Sequence, residues 1–185
     1  TAERLGLPLI LNWEYVGSKY ENNPASPVVV GNTVVFACGD RVYGVDLATG
    51  SLKWRYPSDQ GLSGSVKATP AIYGGNVYFG AGENLFCISL ETGTFRWAYQ
   101  TRGAIRCAPV ILDGSIYFGS DDNSLYCIDA ETGDPRWSKP FVARDDIAIG
   151  VAIGSGIVVA SCMDGNTYGV MAGSGRLRWP PFRLP

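Results

Sequence analysis

One eleven-residue pattern occurs four times. It reads GVDLATGSLKW at 44–54, CISLETGTFRW at 87–97, CIDAETGDPRW at 127–137 and GVMAGSGRLRW at 169–179. A Thr-Gly or Ser-Gly pair precedes the tryptophan at the same offset in every copy. Trp13, Trp54, Trp97, Trp137 and Trp179 are all the tryptophans of the chain, and they follow one another at spacings of 40 to 43 residues. A period of this length limits the chain to stacked repeats. One such unit cannot bury its own apolar face and needs neighbours on either side.

Each period holds four short β-rich runs. The first has SPVVV, TVVFAC, RVYGVDL and SLKWRY; the second has ATPAIY, NVYFGA, NLFCISL and TFRWAYQ. The third has CAPVIL, SIYFGS, SLYCIDA and a weaker PRWSK; the fourth has AIGVAI, GIVVAS, NTYGVMA and RLRW. Short Gly-, Asn- and Asp-containing connections between the runs are hairpin turns. Four antiparallel strands per unit predict an all-β fold, a β-propeller of four-stranded blades. The repeats fall at about 14–54, 55–97, 98–137 and 138–179, in one propeller domain over 1–185. Within the pattern, Asp46, Ser89 and Asp129 are expected to accept backbone N–H bonds in the turn between third and fourth strands. Gly50, Gly93, Gly133 and Gly175 supply the positive φ that turn needs. The tryptophan lies on the outer strand and is expected to cover the turn of a neighbouring blade. An additional run, LPLILNWEYV at 7–16, reads as a lone strand carrying Trp13.

Composition narrows the chemistry. The chain has no histidine, so it lacks the commonest general base and zinc ligand. Its net charge of −2 argues against a nucleic-acid footprint, which needs a basic face. Five cysteines cannot all pair within one chain, and none forms a C-x-x-C; they read as small buried hydrophobes. No apolar run approaches the roughly 20 residues of a transmembrane segment. The first residue is Thr1, not Met, which reads as a processed chain or one cut from something larger.

The pattern resembles the tryptophan-docking motif A-x-D-x-x-T-G-K-x-x-W of the pyrroloquinoline-quinone (PQQ) repeat family. Ser26-Pro27, Thr69-Pro70 and Ala108-Pro109, with VYFGA and IYFGS, match the family's preceding S-S-P-V…G-x-V-Y-F-G-S. The fourth unit departs most, with no proline near Val151, Met171 in the Asp slot and Ser174 for Thr, so a looser blade is expected there. The family is similar across enzymes and non-enzymes. It includes eight-bladed quinoprotein alcohol dehydrogenases, the outer-membrane assembly lipoprotein of the β-barrel insertion machinery, and sensor domains attached to kinases. It implies a ring of seven or eight blades, and four are present here. The chain is then half a ring completed by a second copy or another segment, an open arc on a larger assembly, or a compact four-bladed ring. The resemblance also implies a periplasmic or extracellular location. Quinone-binding members resemble one another in an adjacent Cys-Cys pair, a tryptophan floor and calcium-ligating acids. This chain has no adjacent cysteines and uses its tryptophans in the repeat, so no bound cofactor is expected.

In a propeller, the connections from the fourth strand to the next first strand share one face with those from second to third strands. Lys67 and Arg106 occupy the same place, three residues before Pro70 and Pro109, and Arg102 and Arg144 lie in the same class of loop. They form a candidate basic rim for an anionic ligand or partner segment, or else are solvated loop charges. Acids mark the other loops: Asp40, Glu83, Asp121 with Asp122, and Asp164. SDDNS and MDGN lack the alternating ligands and terminal Glu of an EF-type calcium loop, so they read as turns and no metal site is expected. Asp145-Asp146 has no second acid–base group placed opposite it, and no catalytic constellation is recognisable. The expectation is a non-enzymatic scaffold for protein–protein interaction, bound to a protein partner or to a second copy that completes the propeller. The alternatives are a fragment of a PQQ-dependent dehydrogenase and a ligand-sensing domain of a receptor or kinase.

Overall fold

The computed structural model describes Glu14 and residues 25–183. The lone strand expected at 7–16, with Trp13, lies outside the described residues. Among the described residues, sixteen strands form four separate four-stranded antiparallel sheets, each in simple sequential order. The first blade has β1 (Val28–Val30), β2 (Thr33–Cys38), β3 (Arg41–Asp46) and β4 (Leu52–Tyr56). The second has β5 (Ala71–Tyr73), β6 (Asn76–Ala81), β7 (Asn84–Ser89) and β8 (Phe95–Gln100). The third has β9 (Val110–Leu112), β10 (Ser115–Gly119), β11 (Ser124–Asp129) and β12 (Phe141–Val142). The fourth has β13 (Gly150–Gly154), β14 (Ile157–Ser161), β15 (Asn166–Met171) and β16 (Leu177–Arg183).

The two middle strands of a blade are covered on both faces, which is why VYFGA and SLYCID read as continuous apolar runs rather than alternating ones. On β6, Val77, Phe79 and Ala81 turn back and pack with Val35, Ala37, Val42 and Trp54 of the first blade. Tyr78, between them, turns forward with Leu85 and Cys87 of β7 and meets Ile116, Phe118 and Ile128 of the third blade. Tyr117, Leu125, Cys127 and Trp137 then meet Val158, Ala160, Tyr168 and Val170 of the fourth. The core is therefore three seams between successive blades. Among the described residues no core cluster joins the fourth blade to the first.

Two departures have local causes. The outer strand of the third blade is not continuous over PRWSK. Only the bridge Ile128↔Pro135 and the bond from Arg136 N–H to the Cys127 carbonyl (2.9 Å) hold its start. The ladder resumes at Phe141, opposite Leu125. In the second blade Trp97 and Tyr99 lie two residues apart opposite Cys87 and Leu85; here Trp137 and Phe141 span the same register with two residues more. Pro135 and Pro140 have no N–H to give a ladder, and the surplus leaves the sheet as a bulge. The fourth blade, expected to be looser, has a longer first strand. Pro27, Pro70 and Pro109 stop β1, β5 and β9 at three residues, whereas Val151 keeps its N–H and pairs with Ala160, and Gly150 pairs with Ser161.

Candidate functional site

The repeated turn gives each seam its outer staple. Asp46 Oδ1 accepts the N–H groups of Ala48 and Thr49 at 3.0 Å, and Asp129 Oδ1 accepts those of Glu131 (2.8 Å) and Thr132 (3.0 Å). Ser89 Oγ makes the equivalent bond to Thr92 N–H at 3.3 Å. Met171 has no such oxygen, and its turn closes through backbone bonds from Ser174 and Gly175 to the Met171 carbonyl. Gly50, Gly93, Gly133 and Gly175 have φ of 69°, 69°, 79° and 69°. Trp54 lies on the Gly93 turn and donates Nε1–H to the Leu90 carbonyl at 2.7 Å. Trp97 lies on Gly133 and donates to Glu131 at 3.0 Å; Trp137 lies on Gly175 and donates to Ala172 at 2.7 Å. Trp179 sits over Gly169 of its own blade and is half-exposed.

The loop face is a second structural system, and it carries Lys67 and Arg106 of the expected basic rim. Each connection leaving a blade bonds to that blade's own second-to-third-strand loop: Val66 N–H to Gly39, Ile105 N–H to Gly82, and Ile147 N–H to Ser120. The same connections then accept from the next blade, Asp121 N–H bonding to the Ala104 carbonyl and Met163 N–H to that of Asp146. Val66, Ile105 and Ile147 are buried, with Ile147 packed so tightly on Gly119 that no Cβ fits there. Lys67 and Arg106 follow Val66 and Ile105 directly, so each anchored aliphatic aims an exposed cation outward. The two cations, with Gly64, Gly82 and Ala104, line one recess of about 180 Å³. Arg106 also forms an ion pair with Asp121. Ala148 stands at the corresponding place after Ile147 and ends the row of cations.

Arg102 is not part of that recess. Its N–H donates to Asp122 Oδ2 (3.0 Å), and it borders a separate hollow of about 700 Å³ with Tyr99, Tyr126, Pro140 and Val142. Arg144 is exposed and lines neither hollow. The hollow lies where the outer strand of the third blade bulges away, a feature the two prolines of PRWSKP foreshadow.

The loop acids close turns. Asp122 accepts Ser124 N–H (3.1 Å) and the Tyr126 hydroxyl (2.6 Å). Asp164 accepts Asn166 N–H (2.8 Å) and the Tyr168 hydroxyl (2.6 Å). This D-x-[SN]-x-Y clasp is legible at 122–126 and 164–168, and the motif reading missed it. Burial works to raise the Asp164 carboxyl, but the bonds from Tyr168 and Asn166 outweigh it and hold it well below the usual range. Asp146 goes the other way, pushed up by burial and by the charges of Asp121 and Asp145 against the pull of Arg106. Cys87 is raised to about 11 and Tyr78 to about 12, both chiefly by burial. Tyr78 donates to the Ala130 carbonyl at 2.9 Å across a seam. All five cysteines are buried thiols outside any disulfide. Among the described residues no three His, Cys, Asp or Glu side chains converge as a metal site. No helix among the described residues is long and apolar enough to cross a membrane.

Sequential four-stranded blades, stapled by tryptophan on a glycine turn and knitted by loops on one face, define a β-propeller built of PQQ-like repeats. The chain belongs to the family described as outer membrane protein assembly factor BamB, whose model matches residues 10–139 and 82–181. Among solved structures it is similar to BamB from Moraxella catarrhalis, at 21% identity and a TM-score of 0.73, over 88% of this chain and 51% of that one. It is also similar to the quinohemoprotein alcohol dehydrogenase ADHIIG from Pseudomonas putida HK5, at 18% identity and a TM-score of 0.72, over 88% of this chain and 34% of that one. The computationally designed Ika4 protein gives 18% identity and a TM-score of 0.70, over 86% of this chain and 96% of that one. These likenesses establish the fold alone, and the chain spans about half the length of the Moraxella BamB. No curated protein matches the chain.

Proposed function

We propose that the chain is a non-enzymatic scaffold that presents its loop face to other proteins of a cell-envelope assembly, in the periplasm or outside the cell. The observation that carries this reading is the pairing of an anchored loop with an exposed cation. Lys67 and Arg106 come from adjacent blades to one recess, on backbone fixed by Val66 and Ile105. The reactive groups of the interior are committed elsewhere: the thiols are buried, those of Cys87, Cys107, Cys127 and Cys162 are raised, and Tyr78 and Tyr117 are bonded across seams. Membership of the outer membrane protein assembly factor family supports a protein partner engaged in that assembly. A recess with two cations suits an acidic segment of such a partner.

The test places a photo-crosslinking residue at Ser65, beside the cations, and exposes the chain to cell envelopes. The expected product is a discrete crosslink to an outer-membrane assembly component, lost in Lys67→Glu with Arg106→Glu. A crosslink indifferent to both charges would overturn the rim as the contact. The second reading, a segment of a quinoprotein dehydrogenase, has the fold likeness in its favour. Titration with PQQ and calcium separates the two, because a saturable absorbance shift with dye reduction on added alcohol would replace the scaffold by that enzyme.

A further inference from the structure

The hollow beside the third blade has its cause in the sheet. An aromatic on three of the outer strands repeats at the seams: Tyr56 lies against Phe79 and Phe86, Tyr99 against Phe118 and Tyr126, and Phe141 against Tyr168. Phe86 faces Ala98 across the ladder to an unbroken β8. Tyr126 is its counterpart by register, and it pairs with no residue of β12. Ser138, Lys139 and Pro140 leave the sheet between the Arg136 bond to Cys127 and the Phe141–Leu125 pair. The hollow of about 700 Å³ opens beside Tyr126, where the strand has been carried away.

Its depth and its mouth differ in chemistry. Tyr126 is buried, with Tyr99 and Pro140 half-buried beside it. The buried polar groups are already bonded: Thr101 Oγ1 donates to the Gly103 carbonyl at 2.7 Å, and Ser124 Oγ to that of Asp122 at 3.2 Å. The Asp122 carboxylate accepts from Arg102 N–H, Ser124 N–H and the Tyr126 hydroxyl. Nearer the solvent, the Arg102 guanidinium, the Gln100 amide and the Tyr99 hydroxyl have no partner among the described residues. Burial, and after it the Asp122 charge, raises the Tyr99 hydroxyl above its ordinary value, so it stays a donor. All three free groups can donate, and one is a permanent cation. Val142, 65% exposed, adds apolar surface at the mouth.

We propose that this hollow is a binding site for a small amphipathic carboxylate, with its apolar body against Tyr99, Pro140 and Val142 and its anionic head on Arg102. A guanidinium takes a carboxylate through two parallel N–H bonds, which adds geometry to charge. Asp122 sets the pose. Its own charge repels an anion at the buried end, so the head group belongs at the exposed arginine. The volume falls in the range of small-ligand pockets, roughly 300–1,000 Å³. Pro140 offers no N–H to an entering strand, so a peptide backbone finds no ladder there, whereas a compact ligand needs none. The site is distinct from the recess of Lys67 and Arg106, and it stands whether or not the chain is a scaffold.

The test is isothermal titration calorimetry of the full chain with hydrocinnamate, a phenyl ring on a short carboxylate chain, against its neutral amide. Saturable binding of one hydrocinnamate per chain is expected, with the amide at least about 10-fold weaker, the scale of losing a hydrogen bond to a charged group. Arg102→Gln lowers hydrocinnamate affinity by a similar factor, and Val142→Glu abolishes binding. Both positions are exposed, so both variants melt with the parent chain. In a tyrosine-labelled chain the ring resonances of Tyr99 and Tyr126 move on titration, and that of Tyr117 does not. Lys67→Glu with Arg106→Glu, which removes the Ser65 crosslink, leaves hydrocinnamate bound, so this inference and the scaffold reading fail separately. No saturable binding at millimolar hydrocinnamate, equal affinity for acid and amide, or indifference to Arg102→Gln and Val142→Glu overturns the inference. So does loss of binding in Phe182→Glu, which puts the probe in the apolar hollow beside Trp179. Capture of an acidic peptide without hydrocinnamate binding overturns it in favour of a protein segment.

Discussion

Replacing Gly93 with alanine tests whether the repeated turn is a docking surface or merely a tight bend. Two costs add. Gly93 has φ 69°, and a side chain in that left-handed region costs about 1–2 kcal/mol. The new Cβ also falls 2.9 Å from three ring atoms of Trp54, a rigid indole that is itself 6% exposed. It has to move by a few tenths of an ångström, which strains its 2.7 Å bond to the Leu90 carbonyl, worth about 1 kcal/mol. The total is about 2–3 kcal/mol, or a melting temperature lower by about 4–12 °C for a chain of this size. Gly74→Ala is the control. It carries a φ of 56° but nothing lies within 4 Å of its Cβ, so only the backbone cost of about 1–2 kcal/mol remains. Thermal and urea unfolding measure both. A Trp54→Ala background should reduce the cost of Gly93→Ala to that of the control, since the contact is then gone. Equal losses for Gly93→Ala and Gly74→Ala in the parent chain would refute the docking argument.

Asp164→Asn removes the carboxylate that Tyr168 and Asn166 hold. At neutral pH it is expected to cost about 1–2 kcal/mol in urea unfolding. Because the folded carboxyl is held low, that stability is present above the ordinary carboxylate value and is lost as pH falls through the depressed one, so parent and variant converge in strong acid. Asp146 is raised, so its ionisation penalises the fold as pH climbs from the ordinary carboxylate value through the raised one. Asp146→Asn is therefore expected to be more stable than the parent at pH 7 and equal to it below that window, as melting curves at both pH values would show. The buried thiols should react with a disulfide reagent at pH 8 only on unfolding; in the fold Cys87 is both shielded and held protonated, its thiol raised to about 11 by burial. Rapid labelling of Cys87 in the native chain would contradict its burial.

Much of the fold was legible because each blade repeats its punctuation. Thr-Gly fixes a turn, Pro27, Pro70 and Pro109 cap a first strand, and a tryptophan marks an outer one. Where the punctuation changes, the physical consequence can be followed. Val151 in the proline slot restores an N–H and lengthens β13, so the unit that reads as the most divergent has the longest first strand. Pro135 and Pro140 flank Trp137 of the third blade, and a strand expected at PRWSK became a bulge with its ladder resuming at Phe141. The tryptophan itself keeps its place, because its position is set by the Gly175 turn and the Ala172 carbonyl more than by its own strand.

The shared recess of Lys67 and Arg106 was legible only as a spacing, and the reason lies in Val66 and Ile105. Counting back from Pro70 and Pro109 puts Lys67 and Arg106 in equivalent places, but equivalence by itself leaves a solvated charge and a directed one indistinguishable. The difference is made one residue earlier. A buried aliphatic, bonded through its backbone to the loop beside it, fixes the direction of the next side chain. After Ile147 the same anchor is followed by Ala148, so the row of cations ends by sequence while the scaffold beneath it continues. Arg102 follows Thr101, buried and bonded through its N–H to the Glu83 carbonyl, and Arg144 follows Ala143, bonded to that of Asn123, yet neither arginine lines the recess shared by Lys67 and Arg106. Anchor and cation are thus separable. Substituting Val66 disturbs the loop and its seam together, whereas substituting Lys67 alters only the charge offered at a fixed point.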